Sequence, residues 1–557
     1  MKSVNSSFVV SCLLVSCIYT NFIYAQNASE TAEQFQKSYV KETIPTAPIQ
    51  NRRPLDYKPF KYKYSLEQLS AKFSAEMMER ASKQYSIVQQ VNQEGNWKPT
   101  PSSIDSHEAP EWLRDAKFGM FIDWGLWSVG GWAPKRTAGA MYPDWYENQI
   151  YTDSAVIKYH EKNWGKDVER DDLIQFFKAK AYSPEKLTKL AVEAGMKYVI
   201  PFSKHHSGFC LWSSSYTHRD ASDMGPKKDL IKPLVEQCKI NGLKFGFYFS
   251  VEEWEYPVIN QQGQLSNRLW AGKVVPYSPL LEKKSSGKIA VKDFARDYIV
   301  PQATEFIDNY DPDILWYDGE WDTSAEALKT YEISSYFYNR AQGRKEVAVN
   351  DRYGLGAQGE RLRFKRGDIF TSEFHDNDDK VQSHAWEANR GISQSFGYNW
   401  QDTDENVIST KDFIKMFVDI VANGGNLLLI VNLDEQGALP AVQEKRLKDI
   451  GKWLQVNGEG IYGTRTYSTR SEGTVRYTKS KDNKTVFAIA TEWPGKELQL
   501  KSVMPKEGSA IYMLGVKDPI NWRYNKNDDT IIIEIPDDLQ TEINRPCEHA
   551  YIFKIQM

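Results

Sequence analysis

The sequence is poor in cysteine, has no long run of one charge and contains few strongly apolar stretches. Its 557 residues include five cysteines, whose spacing fits neither a disulfide framework nor a zinc motif. Lys and Arg number 70 against 74 Asp and Glu, giving a net charge of −4, so nucleic acid is not an expected partner. A glycine-rich phosphate loop, a nucleophile elbow and an HExxH helix are also missing. We therefore predict no cofactor and no metal ion.

The one segment apolar enough to enter a membrane lies at the N-terminus. Its apolar run, residues 8–18, is well short of the roughly 20 residues that a spanning helix needs. Together with Lys2 and Ala25, it predicts a secretory signal over residues 1–25 and a secreted or periplasmic protein without a membrane span. Residues 14–17 also resemble a bacterial lipobox, which leaves open a lipid anchor at Cys17.

Three sequence patterns follow one another after the signal. Residues 26–101 are polar and predict an N-terminal arm with one helix from Ser65 to Gln93. Residues 102–460 alternate helices with short apolar strands, and residues 461–557 contain β-rich runs separated by turn residues. This order predicts an α/β fold: a (β/α)8-like barrel as catalytic domain, followed by a C-terminal β-sandwich.

The alternation is clearest in two consecutive helix–strand units. A helix from Ser183, with proline at its first position and Gly195 at its end, precedes a strand over 197–203. A second helix over 229–241 precedes a strand over 243–249. Further barrel strands are predicted at 118–122, 314–317, 347–350, 369–372 and 427–431.

Polar residues at the carboxyl ends of the predicted strands form the candidate active site, because barrel enzymes place their catalytic groups there. They are Asp123, His205, His206, Tyr248, Asp318, Asp351, Arg352 and Glu373. Paired carboxylates suit glycoside hydrolysis, in which one attacks the anomeric carbon and the other protonates the leaving oxygen. A metal site built from Asp123, Asp144, His205 and His206 is the weaker hypothesis, since these residues lack short ligand spacing.

Aromatic residues make up 13% of the chain, and five of its 17 tryptophans fall between Trp112 and Trp145. Flat rings of this kind stack on the apolar faces of sugars. Packing in the core explains any single tryptophan equally well, so the cluster supports a carbohydrate substrate without establishing it.

A series of ordered motifs resembles a known family. The segments are 110–125, 204–209, 243–250, 315–319, 350–352, 386–387, 391–399 and 424–429. Their residues and order are similar to those of glycoside hydrolase family 29, the α-L-fucosidases, over about residues 96–465, with a β-sandwich in the expected place.

The resemblance implies a retaining double displacement by two carboxylates. Asp318, in Trp-Tyr-Asp-Gly, matches the family's nucleophile, and Glu373 matches its acid/base. The acid/base position varies within the family, so Glu387 remains the alternative.

The resemblance also implies residues that bind the sugar. His205, His206, Trp145 and Arg352 match positions that bind hydroxyls or lie beside the nucleophile. The apolar pocket around the C5 methyl group of fucose is matched by Phe121, Tyr248, Trp316 and Phe396. An aromatic pocket disfavours an unpaired hydroxyl, so we expect fucose rather than L-galactose.

Three positions depart from the family pattern. Asp123 replaces a histidine, Asp144 replaces a glutamate, and Ser207 replaces an aspartate. The leading hypothesis is a secreted exo-acting α-L-fucosidase that releases terminal L-fucose from glycans. The alternatives are a related glycosidase for L-galactose or a modified fucose in a plant or algal polysaccharide, and a non-catalytic carbohydrate-binding protein. The oligomeric state is not predicted.

Overall fold

The computed structural model describes residues 38–137, 139–374 and 384–557. The predicted signal over residues 1–25 and the lipobox cysteine Cys17 lie outside these ranges. Within the described residues, every helix is too short or too polar to cross a membrane.

Eight parallel strands form the central sheet. They are β1 Phe118–Asp123, β2 Tyr198–Lys204, β3 Lys244–Ser250, β4 Ile314–Asp318, β5 Ala348–Val349, β6 Phe370–Glu373, β7 Trp386–Gly391 and β8 Asn426–Asn432. Their order is β5-β4-β3-β2-β1-β8-β7-β6. A parallel bridge between Asn350 and Ile369 joins the two outer strands, so the sheet curls into the predicted barrel.

The strands are apolar because helices cover the outside of the barrel and side chains fill its interior. All residues of β1, β2, β4 and β8 are buried. The α-helices are Leu66–Glu94, Pro101–Ile104, Glu111–Ala116, Trp127–Gly130, Tyr146–Thr152, Ser154–Asn163, Pro184–Glu193, Lys232–Ile240, Pro279–Glu282, Val300–Tyr310, Ala325–Leu328, Thr330–Ala341, Thr410–Ala422 and Ala441–Asn457.

The helix predicted in the N-terminal arm is confirmed and runs over Leu66–Glu94. It begins at Ser65, whose hydroxyl accepts from the backbone N–H of Gln68 while the Gln68 side chain accepts from the Ser65 N–H. This reciprocal cap satisfies two N–H groups that the helix itself leaves free. Further along, Asn92 donates to the carbonyl of Glu332, which ties the helix to the barrel.

The C-terminal part consists of two antiparallel sheets around their own core, which confirms the predicted sandwich. Strands β9 Arg465–Glu472, β10 Val475–Lys479, β11 Thr485–Ala490, β13 Ile511–Met513 and β16 Tyr551–Gln556 form one sheet. Strands β12 Glu497–Leu500, β14 Trp522–Asn525 and β15 Thr530–Glu534 form the other.

The barrel differs from the sequence-based prediction at one strand and from a regular barrel at one connection. Strand β7 was not predicted, because Glu387, Asn389 and Arg390 interrupt its apolar character. No helix follows β5: residues 350–369 connect it directly to β6 as an extended loop. That loop carries Arg352 into the mouth of the barrel.

Candidate active site

A cavity opens at the carboxyl ends of the strands, where barrel enzymes hold their substrates. It contains eleven of the predicted site residues: Phe121, Asp144, Trp145, His205, His206, Tyr248, Trp316, Asp318, Arg352, Glu373 and Phe396. Two predicted residues, Asp123 and Asp351, do not line it. The cavity thus brings together residues that are up to 309 positions apart in the chain, from Phe121 to Ile430.

Arg352 joins the two carboxylates at the centre of the cavity. One guanidinium nitrogen, Nη1, donates to Asp318 Oδ1 at 2.9 Å, and the other, Nη2, donates to Glu373 Oε1. Its Nε donates to Thr371 Oγ1 at 3.1 Å, and the guanidinium carbon lies 4.6 Å from the centre of the Trp316 ring. The planar fork of arginine suits this double contact, so the two carboxylates are held on either side of one cation.

Asp318 receives a second hydrogen bond on its other oxygen. The Tyr248 hydroxyl donates to Asp318 Oδ2 at 2.6 Å, and His206 Nε2 lies 3.8 Å from the same atom. Asp318 on β4 is paired with Ser250 of the neighbouring strand β3, whereas Tyr248 is paired with Trp316, so the Tyr248 hydroxyl approaches Asp318 from two residues earlier in the adjacent strand. The carboxylate is fixed from two sides and faces the cavity.

The hydrogen bonds of His206 define its protonation. Ser250 donates its single hydroxyl proton to the carbonyl of Glu252, so at 2.6 Å from His206 Nδ1 it accepts the proton of that nitrogen. Burial, with the nearby charges of Lys204 and Arg352, lowers the pKa of His206 to about 3. The ring is therefore neutral, and its Nε2, buried without a partner among the described residues, is an acceptor for a ligand hydroxyl.

A buried acid, Asp144, lines the cavity beside His205. Asp144 Oδ2 is 3.7 Å from His205 Nε2, and Asp144 Oδ1 is buried without a hydrogen-bond partner among the described residues. Burial raises the pKa of Asp144 well above its usual value, and the charges of Asp123 and Asp318 add to this effect. Burial also lowers the pKa of His205, so a neutral imidazole faces an acid that tends to hold its proton.

Asp123 belongs to the layer next to the cavity. Its Oδ1 accepts from the indole N–H of Trp127 at 3.0 Å, whereas its Oδ2 is buried without a partner among the described residues. Burial raises the pKa of Asp123 well above its usual value. Since Asp123 in turn raises the pKa of Asp144, the two carboxyl groups disfavour each other's ionisation.

Aromatic rings form the apolar part of the cavity wall. The centres of the Phe121 and Trp316 rings are 4.9 Å apart, and those of Tyr248 and Trp316 are 5.6 Å apart. Phe202 stacks on Tyr248 at 4.0 Å. Phe396 lines the cavity beside Tyr142, at 5.4 Å between ring centres. Phe121, Phe202 and Phe396 carry no hydrogen-bonding group, so these rings make one side of the cavity mainly apolar.

Two carboxylates of the sequence analysis lie outside the cavity lining. Glu387, the alternative acid/base, accepts from the Tyr198 hydroxyl and from the Trp316 indole N–H at 3.2 Å inside the barrel. Burial raises its pKa to about 7. Asp351 Oδ1 accepts two hydrogen bonds, one from the backbone N–H of Thr371 and one from the Thr371 hydroxyl. Both acids are occupied in holding strands together.

Ser207, the third departure from the family pattern, directly follows His205 and His206 in the chain. Its carbonyl accepts from Arg219 Nε at 3.0 Å, and its side chain is buried. Beside it lies Glu147, which is fully buried. Burial raises the pKa of Glu147 to about 7, although the charges of Arg170 and Arg219 act in the opposite direction.

Sequence reasoning missed several residues of the site. Those that line the cavity are Tyr142, Phe202, Trp321, Asn389 and Ile430. Side chains alternate between the inside and the outside of the barrel along each predicted strand, and this alternation could have indicated Phe202 and Ile430. Asn389 could have been found only by recognising strand β7, which was not predicted. Glu320 was also missed: burial raises its pKa to about 7, while the Arg352 charge lowers it and the Asp318 charge raises it.

The tryptophan cluster divides between core and cavity. Trp124 packs on Tyr182, and Trp132 stacks on Tyr159 at 4.3 Å. Trp127 bonds Asp123, and only Trp145 of the five lines the cavity. Most of this cluster therefore packs in the core and does not line the cavity.

The described residues offer one group of metal ligands in this cavity. Ligand atoms of His205, His206 and Asp318 lie within 4.8 Å of one another. The Arg352 guanidinium already bonds Asp318 at 2.9 Å and repels a further cation at this point. The ligand set differs from the one considered from the sequence, because Asp123 and Asp144 are not part of it.

Comparison with known proteins identifies the family. A family model described as "Alpha-L-fucosidase" matches residues 84–459, well over half of the chain. The chain belongs to the α-L-fucosidase family. A second model, "Alpha-L-fucosidase C-terminal domain", matches residues 469–556, the β-sandwich. The family resemblance and the glycoside hydrolase class predicted from the motifs are thereby confirmed.

Relatives and solved structures agree with this assignment. A plasma alpha-L-fucosidase of Pongo abelii is 30% identical over 463 residues, covering 81% of this chain and 91% of the relative. An alpha-L-fucosidase of Branchiostoma floridae is 28% identical, covering 83% and 96%. The structure of Thermotoga maritima alpha-fucosidase in complex with fucose aligns at a TM-score of 0.65 with 30% identity, covering 82% of this chain and 100% of that one.

Proposed function

We propose that this protein is a retaining exo-α-L-fucosidase that releases terminal L-fucose from glycans by double displacement. The observation that supports this best is the bridge of Arg352 between Asp318 and Glu373, the two carboxylates that the family resemblance selects. Retaining hydrolases hold their two carboxyl groups roughly 5 to 5.5 Å apart. Two carboxylates bonded to one guanidinium are close neighbours, as a retaining mechanism requires.

In this proposal Asp318 attacks the anomeric carbon and forms a covalent fucosyl-enzyme. Tyr248 and Arg352 each bond one of its oxygens, so the orientation of the carboxylate is fixed before the substrate arrives. The bond from carbon to the leaving oxygen breaks as the Asp318 ester forms. Water then cleaves that ester from the opposite side, which restores the α configuration.

Glu373 acts as the acid in the first step and as the base in the second. When both carboxylates are ionised, the group of Arg352, Asp318 and Glu373 carries a net charge of −1. A proton on Glu373 makes this group neutral. Glu373 transfers that proton to the leaving oxygen and becomes ionised, while Asp318 loses its negative charge as it forms the ester. The group therefore stays neutral in the intermediate, and Arg352 is paired with one ionised carboxylate at each stage.

The cavity wall favours the methyl group of fucose. Phe121, Tyr248 and Trp316 present ring carbons on one side, and a hydroxymethyl group against them would lose its hydrogen bonds with water. An unpaired buried hydroxyl costs about 1 to 3 kcal/mol. Two histidine nitrogens, His205 Nδ1 and His206 Nε2, have no hydrogen-bond partner within the part of the chain that the structure describes, and in this proposal they bind the ring hydroxyls.

A second candidate function is hydrolysis of a related glycoside whose sugar is L-galactose or a modified fucose. It is favoured by the acid pair Asp123 and Asp144, which replaces a histidine and a glutamate of the family pattern. A protonated carboxyl group donates one hydrogen bond and can accept several, whereas a neutral imidazole donates one and accepts one. Aryl α-L-fucoside and aryl α-L-galactoside, compared side by side, distinguish the two functions.

We also propose that the protein is secreted after removal of residues 1–25. The basis is the N-terminal sequence alone. N-terminal sequencing of the exported protein checks it: a chain beginning at Gln26 supports the proposal. A chain beginning at Cys17 and carrying lipid supports the anchor instead.

The catalytic proposal is tested by removing the nucleophile. Asp318→Ala should lower kcat by several orders of magnitude with the fold retained, and added azide should partly restore turnover by giving β-L-fucosyl azide. Asp351→Ala is the matched control for loss of a neighbouring buried carboxylate, and azide should not rescue it. Activity of Asp318→Ala within tenfold of the parent would refute the assignment.

A further inference from the structure

A turn of an inserted antiparallel sheet reaches the mouth of the cavity. The insertion follows β3 and has strands Glu255–Ile259, Leu265–Leu269 and Val274–Pro276. Its last two strands are joined by a tight turn in which Ala271 and Gly272 both have positive φ, 57° and 79°. The backbone N–H of Leu269 donates to the Lys273 carbonyl at 2.7 Å across this turn. The turn presents Trp270 in a defined orientation.

Trp270 stacks on a residue of the cavity. Its ring lies 5.3 Å from that of Trp321, with 21° between the planes, and its indole N–H donates to Asp322 Oδ2 at 3.0 Å. Trp321 follows Asp318 by three residues and lines the cavity. The Trp270 ring also contacts His206 edge to face, at 5.4 Å between ring centres. The stacked pair Trp270 and Trp321, called the tryptophan platform below, therefore continues the cavity wall outward.

The tryptophan platform contains an unused hydrogen-bond donor. The indole N–H of Trp321 is buried, with the side chain only 9% exposed, and has no partner among the described residues. A buried N–H without a partner is costly. Trp270 is more exposed than Trp321. The pair offers a flat apolar ring face and one indole N–H without a partner among the described residues.

We propose that the tryptophan platform binds the sugar of the glycan to which the terminal fucose is attached. This inference rests on the proposed function. A pyranose has an apolar face of C–H groups that packs on an indole ring and hydroxyls at its rim. One of those hydroxyls would accept from Trp321 Nε1. Binding energy gained on this leaving sugar can be used in the transition state at Asp318.

The test compares substrates with and without a leaving sugar. α-L-Fucosyl fluoride has none, whereas a panel of 2-, 3- and 6-linked fucosyl disaccharides has one. For Trp270→Ala, the ratio of kcat/KM on the best disaccharide to kcat/KM on the fluoride should fall at least tenfold. Because a ratio is measured, any disturbance of His206 affects both substrates and cancels.

Two further variants keep the test decisive. Trp270→Phe retains a stacking ring and should restore the ratio to within threefold of the parent. Trp112→Ala removes a tryptophan beside β1 at the opposite end of the barrel, where its N–H donates to the Glu346 carbonyl, and should leave the ratio unchanged. A ratio for Trp270→Ala within twofold of the parent overturns the platform. A parent that hydrolyses neither the fluoride nor any disaccharide overturns the proposed function instead.

Discussion

Replacing Arg352 by lysine tests whether one guanidinium holds both reactive carboxylates. Lysine keeps the positive charge but provides a point donor, which cannot reach Asp318 and Glu373 through two separate nitrogens. The variant therefore loses one charge-assisted hydrogen bond, worth about 1.5 to 3 kcal/mol. If that bond orients a carboxylate in the transition state, kcat/KM should fall roughly ten- to 150-fold.

The assay is steady-state hydrolysis of an activated aryl α-L-fucoside, with a thermal melt of each variant to confirm folding. Arg366→Lys is the matched control, because Arg366 lies in the same loop and uses its fork on Asp105 and Tyr331 outside the cavity. It should change kcat/KM less than threefold. A value for Arg352→Lys within threefold of the parent would refute the idea that this guanidinium organises the reactive pair.

Three other predictions address the acid, the replaced histidine and a buried glutamate. Glu373→Gln should impair substrates with poor leaving groups far more than activated aryl fucosides, whereas Glu387→Gln should affect both alike; the reverse pattern in kcat/KM would assign the acid role to Glu387. Asp123→His is made alone and together with Asp144→Glu. If the acid pair is adapted to another sugar, both variants should have higher kcat/KM than the parent on aryl α-L-fucosides. A change in kcat/KM below threefold on both aryl fucoside and aryl galactoside would mean that Asp123 does not influence sugar binding. Burial raises the pKa of Glu147 from 4.5 to about 7 in the folded protein. The protonated side chain therefore makes its full contribution to the free energy of unfolding below about pH 4.5, and this contribution is lost as the pH rises through 7. Glu147→Gln should therefore melt like the parent near pH 4 and be more stable near pH 8, by up to about 3 kcal/mol; an equal difference at both pH values would contradict this.

The barrel was largely predictable because each buried parallel strand is a short apolar run between turn signals. The run before Asp318 and the run before His205 both predicted a strand end, and the structure places both residues in the cavity. Strand β7 failed this rule since it carries Glu387 in the barrel interior. Its carboxylate is satisfied by Tyr198 and Trp316, partners that local sequence does not reveal.

The arrangement inside the site was less predictable than its membership. Strand ends indicated Asp318, Arg352 and Glu373, but the fork that joins them depends on the loop between β5 and β6, which has no periodic pattern. Asp123 ends its strand as predicted, yet its side chain bonds Trp127 and does not line the cavity. Trp270 and Trp321 lie in loops and gave no signal beyond their residue type.

Covalent labelling tests the central claim most directly. A 2-deoxy-2-fluoro-α-L-fucosyl fluoride slows hydrolysis of the glycosyl-enzyme, so the intermediate should accumulate and inactivate the protein. Digestion and mass spectrometry should then find one fluorofucosyl group on the peptide that contains Asp318, attached to that carboxylate. A label on Glu320 or Glu373, or continued turnover without any labelled peptide, would contradict the account.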